Sequence, residues 1–156
     1  MIEKILVATR NKSKMAELVE LLRPLRVTLV SLDDLSIGEE IEETGETFKE
    51  NAILKAEGYG QLGGLITIAD DSGIEVDALG GAPGIYSARY GGEGLTDLDR
   101  NNLLLKDVEK VPEQELTARF RCVVALWIPE DKTVTFEGKI EGMLIRVSSG
   151  NNGFGY

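Results

Sequence analysis

The chain has 156 residues, 42% hydrophobic and 28% charged, the size and balance of one globular domain with a real core. A formal net charge of −10 argues against a nucleic-acid backbone as the main partner, and the absence of histidine removes the usual general base and the usual nitrogen ligand for zinc. Any metal is therefore expected to be a hard cation on oxygen ligands, and any base a carboxylate or a metal-bound water.

In chain order, Met1–Val7 shows no signal-peptide pattern and reads as a strand with its apolar run at 4–8. Met15, Leu18, Val19 and Leu22 recur at helical spacing, and Pro24 is expected to end that helix. Val27–Leu32 reads as a second strand. Residues 33–46 hold seven acidic side chains (Asp33, Asp34, Glu39, Glu40, Glu42, Glu43, Glu46) and read as a loop. Thr47-Phe48-Lys49-Glu50 is a capping-box pattern, predicting a helix to about Tyr59 that Gly60, Gly63 and Gly64 stop.

Leu65–Ala69 reads as a third strand closed by Asp70-Asp71-Ser72-Gly73, and 79–94 as a glycine-rich turn region. Thr96–Val108 reads as a helix. Leu116–Ile128 and Thr133–Val147 are strand candidates joined by the turn Pro129-Glu130-Asp131-Lys132. The alternation of strands and helices predicts one α/β domain over residues 1–156 with a mixed sheet. No apolar run approaches the roughly 20 residues of a membrane span. The single cysteine, Cys122, reads as a small buried hydrophobe, which fits a reducing cytoplasm.

Three clusters carry candidate chemistry. Thr9-Arg10-Asn11-Lys12-Ser13-Lys14 lies between a strand end and a helix start, where backbone N–H groups and the helix dipole favour anions. Its hydroxyls, amide and cations suit a phosphate, although the glycines of a Walker A loop are absent. Asp70 and Asp71 follow an apolar strand; adjacent side chains there point to opposite faces, so one can meet a ligand while the other braces the loop. Thr47, Asn51 and Lys55 share one helix face, which taken alone reads as a solvated stripe, while Phe48, Ala52, Ile53 and Ala56 take the buried side. Glu42 or Glu43, just before that helix, is a candidate second metal carboxylate.

Together these segments resemble the inosine triphosphate pyrophosphatase family, which hydrolyses noncanonical purine nucleoside triphosphates such as ITP, dITP and XTP. The marks are Leu6–Lys14; Glu42-Glu43-Thr44-Gly45 leading to Phe48 and Glu50-Asn51-Ala52; Ala69–Gly73; Gly80–Tyr90; and Gly153-Phe154-Gly155-Tyr156. The resemblance implies an elongated mixed sheet with flanking helices, two lobes around a nucleotide cleft, and a homodimer. It implies that Thr9, Arg10, Asn11, Lys12, Ser13, Lys14 and Lys55 bind the triphosphate, and that Ser72, Phe154, Gly155 and Tyr156 contact substrate. Asp71 would be the catalytic residue and a ligand of Mg2+, assisted by Glu42 or Glu43. Water would attack the α-phosphorus and release pyrophosphate.

Family members continue past the Gly-Phe-Gly-Tyr motif with Asp-Pro, a lysine and a Ser-His-Arg motif on the purine side. A shortened chain is the corresponding expectation. The other readings are a non-catalytic nucleotide-binding fragment and a related pyrophosphatase for modified pyrimidine nucleotides. Ala8-Thr9-Arg10-Asn11 does not match the serine- and arginine-rich opening of the latter group.

Overall fold

The computed structural model describes residues 4–150 and 152–156; positions 1–3 of the expected first strand lie outside the described residues. The elements are β1 (Lys4–Val7), α1 (Lys12–Leu22), β2 (Thr28–Ser31), α2 (Phe48–Gly63), β3 (Thr67–Val76), α3 (Asp97–Asp107), β4 (Thr117–Trp127) and β5 (Val134–Met143). Among the described residues the strands form one five-stranded sheet in the order β2-β1-β3-β4-β5. β1 pairs in parallel with β2, Lys4 opposite Thr28, and with β3, Leu6 opposite Thr67. The connection 128–133 is shorter than the dozen or so residues a parallel crossover needs, so β4 and β5 are antiparallel and the sheet is mixed.

Two compact units divide the chain: Met1–Asp71 with Val123–Glu137, and Ser72–Cys122 with Gly138–Tyr156. In the first unit α1 begins at Asn11, whose extended backbone and side-chain oxygen cap the helix. It ends at Leu22, where Pro24 sits in the short 3-10 turn Arg23–Leu25. α2 opens with the complete Thr47–Glu50 capping box. It then runs through Gly60, a position predicted to stop it, and ends at Gly64. The reason is tertiary: a Cβ at Gly60 would lie 2.2 Å from Trp127 Cε3, so the missing side chain is space for the indole. Leu6 and Val7 of β1, with Phe48, Ala52, Ala56 and Tyr59 of α2, are buried in this unit's core.

In the second unit Ile74, Val76, Leu104, Val108, Leu116 and Ala118 form the core. β3 reaches this core because it does not turn at Asp70-Asp71-Ser72-Gly73 as the sequence suggests; it continues to Val76. Gly73 serves a close approach instead of a turn, since a Cβ there would stand 2.4 Å from both Gly84 O and Ser87 Oγ. Buried Ser87 accepts from Ile74 N at 3.0 Å. α3 starts at a second capping box, Thr96 with Asp99. β5 stops at Met143, short of the expected Val147, and Cys122 in β4 is half-buried. No helix among the described residues is long and apolar enough to cross a membrane.

Candidate functional site

The loop after β1 is ordered by its own polar side chains. Thr9 Oγ1 accepts from Asn11 N at 3.1 Å, and Asn11 Oδ1 accepts from Ser13 N at 2.9 Å and Lys14 N at 3.1 Å. Two of the helix-end N–H groups that the sequence suggests are open to an anion are thus capped by Asn11. The dipole of α1 still favours negative charge at this end. Arg10 turns away along the acidic loop: its Nη2 donates to Ile37 O at 3.2 Å and to Glu39 O at 2.8 Å. Lys12 is exposed and Ser13 half-buried.

Asp70 and Asp71 sit within β3, 8% and 6% exposed, and meet different lysines, as the alternation of a strand requires. Lys14 Nζ lies 2.6 Å from Asp70 Oδ2. Lys55 Nζ, on α2, lies 2.7 Å from Glu43 Oε1 and 3.7 Å from Asp71 Oδ1. The stripe Thr47, Asn51, Lys55 is solvated only at its start: Thr47 is exposed, Asn51 is completely buried, and Lys55 retains 14% of its side-chain exposure. Of the two candidate glutamates the structure brings Glu43 to Lys55, while Glu42 is exposed.

Burial pushes the Asp71 carboxyl above its usual 3.8; Lys55 pulls it down, Glu43 pushes it up, and the Asn51 amide and Lys14 pull it down. Desolvation outweighs the cations, so Asp71 holds its proton more tightly than an ordinary aspartate. Asp71 Oδ2 is buried without a hydrogen-bond partner. That orphaned hard oxygen, with Glu43 linked through Lys55, fits a divalent cation of the magnesium type. Among the described residues no group of three or more His, Cys, Asp or Glu side chains is placed to hold a metal. A cation here fits the mode in which one or two carboxylates bind and phosphate oxygens and waters supply the rest.

The other predicted substrate residues belong to the second unit. Ser72 is half-buried and Phe154 exposed. Gly155 N donates to Asp97 Oδ2 at 3.2 Å, its carbonyl accepts from Asn101 Nδ2 at 3.0 Å, and Tyr156 Oη donates to Ser87 O at 2.8 Å. A cavity of about 680 Å³ in this unit is bordered by Phe154, Tyr156, Phe120, Met143 and Ile145. Sequence reasoning did not single out Asp70 as the partner of Lys14, nor Asn51 as a buried group beside Asp71. The only available signal was the adjacency of the two aspartates.

An α/β sheet whose buried carboxylates meet lysines on two helices is an arrangement suited to phosphate and a hard cation. Comparison with known proteins narrows it. A model of the Ham1 family matches residues 5–156. A dITP/XTP pyrophosphatase of Bacillus licheniformis is 47% identical over 99% of this chain and 79% of its own length. One from Geobacter sulfurreducens is 48% identical over 98% and 77%. A HAM1 protein of Coxiella burnetii superposes with TM-score 0.87 at 40% identity, covering 99% of this chain and 79% of that one. The nucleoside-triphosphatase / dITP/XTP pyrophosphatase of Mycobacterium abscessus gives TM-score 0.82 at 44% identity, over 98% and 80%. The chain belongs to the Ham1 family.

Proposed function

We propose that this chain hydrolyses noncanonical purine nucleoside triphosphates, dITP, XTP and ITP, to the monophosphate and pyrophosphate. The observation that carries the reading is Asp71, a buried carboxylate with one unpartnered oxygen, set beside Lys55 and Glu43. The named relatives support the substrate class.

Asp71 with Glu43, or with Glu42, would hold Mg2+, which supplies charge neutralisation of the phosphate oxygens when bound. Lys14 and Lys55 balance further charge on the triphosphate, and Asn11 and Thr9 set the entrance of α1 toward it. Lys12 and Ser13 complete the grip, while Arg10 holds the acidic loop through the carbonyls of Ile37 and Glu39. Asp71, with its proton affinity raised by burial, orients and deprotonates the water that attacks the α-phosphorus. Ser72, Phe154, Gly155 and Tyr156 would contact the substrate. The protein works as a cytoplasmic homodimer on free nucleotides, without nucleic acid or membrane.

The test is product analysis after incubation with dITP, XTP and GTP, with Mg2+ or with EDTA. The reading predicts the monophosphate and pyrophosphate from dITP and XTP, little from GTP, and none in EDTA. Release of inorganic phosphate and the diphosphate would overturn it.

A further inference from the structure

Asn51 lies one turn before Lys55 on the same face of α2 and is 0% exposed. Its Oδ1 accepts from Gly45 N at 2.8 Å, but its Nδ2 meets no acceptor. Asp71 Oδ2, also buried, meets no donor. Lys55, one turn further along the same face of α2, has its Nζ 3.7 Å from Asp71 Oδ1, so the orphan donor and the orphan acceptor border one site. Buried polar groups are ordinarily satisfied, and leaving two unmet is costly.

The other half of the amide is also engaged tightly. A Cβ at Gly45 would stand 2.7 Å from Asn51 Oδ1 and 2.6 Å from Glu50 Cβ. The turn that carries Glu42 and Glu43 is therefore seated directly on Asn51, and Glu43 reaches from it to Lys55.

We infer that Asn51 is a positioning residue for the carboxylate site: Oδ1 seats the turn bearing Glu42 and Glu43, and the unpaired Nδ2 is the donor that orients the Asp71 carboxylate when a cation binds. The inference rests on the metal-dependent reading above. Outer partners of this kind typically carry about tenfold to a hundredfold in activity or metal affinity.

Two measurements test it. Asn51→Asp keeps an oxygen for Gly45 N–H and removes the donor; kcat is expected to fall about tenfold to a hundredfold with KM little changed. A purely structural role would lower the melting temperature and leave kcat per folded molecule unaltered, and that result overturns the inference. In 15N-labelled wild type, the Asn51 side-chain amide resonance is expected to shift when Mg2+ and pyrophosphate are added. An unmoved resonance overturns the inference, and this readout decides the matter if Asn51→Asp does not fold. It is also independent of turnover: a wild type that fails to cleave dITP would sink the proposed function while the resonance still reports on Asn51.

Discussion

Lys14 Nζ stands 2.6 Å from Asp70 Oδ2, so a cation assigned to the triphosphate is paired with a buried carboxylate before any phosphate arrives. Asp70 is 8% exposed, and removing Lys14 takes a cationic partner from a charge with little water around it. Lys14→Met is expected to raise the KM for the triphosphate about tenfold, equivalent to about 1.4 kcal/mol. It should also destabilise the fold by about 1–3 kcal/mol. The double variant Lys14→Met/Asp70→Asn should recover much of the stability and none of the affinity. Denaturant titration and initial-rate kinetics on the four proteins of the cycle check both halves.

Arg10 is placed differently from Lys14. Its guanidinium is tied to the carbonyls of Ile37 and Glu39, so its loss should loosen the acidic loop more than it weakens phosphate binding. Arg10→Met is expected to speed amide exchange across 37–40 and to raise KM less than Lys14→Met does. A larger KM effect than that of Lys14→Met would return Arg10 to the direct grip.

Asp71 gives a pH prediction for the metal-free protein. Burial raises its pKa in the folded state above the usual 3.8. Its contribution to stability is therefore fully present below that value and is lost as pH rises through the folded pKa. Above that range the ionised carboxylate is a cost. Asp71→Asn should melt at a higher temperature than wild type at neutral pH without metal, and the gap should close as the medium is acidified to about pH 4 and below. Thermal melts in EDTA at several pH values measure it; a gap that widens on acidification contradicts the assignment.

Gly60 sets two effects against each other. Alanine in a helix interior is favoured over glycine by about 1 kcal/mol. The added Cβ, however, would lie 2.2 Å from the Trp127 ring, and overpacking of that kind costs about 1–3 kcal/mol. Gly60→Ala is therefore expected to lower the melting temperature, with a change in tryptophan fluorescence.

How much of this was legible in the sequence depends on how local each cause is. The Thr47–Glu50 capping box follows from neighbouring residues and appears as expected, whereas α1 begins at Lys12, within the expected loop, because Asn11 caps it. The passage of α2 through Gly60 depends on Trp127, far along the chain, so a local rule that reads glycine as a stop fails there. Asp70-Asp71-Ser72-Gly73 has the composition of a turn, but Gly73 answers a contact with Ser87 and Gly84, and β3 continues. Asn51 was hidden for a similar reason. Periodicity shows that Thr47, Asn51 and Lys55 share a face, yet it cannot show that the Gly45 turn and Asp71 cover that face.

The most direct test of the central claim compares wild type with Asp71→Asn for pyrophosphate release from dITP at saturating Mg2+. With the fold verified by circular dichroism, the account predicts a loss in kcat of roughly a hundredfold to a thousandfold, the range seen when one preorganised electrostatic group is removed. Turnover by Asp71→Asn equal to wild type would contradict it.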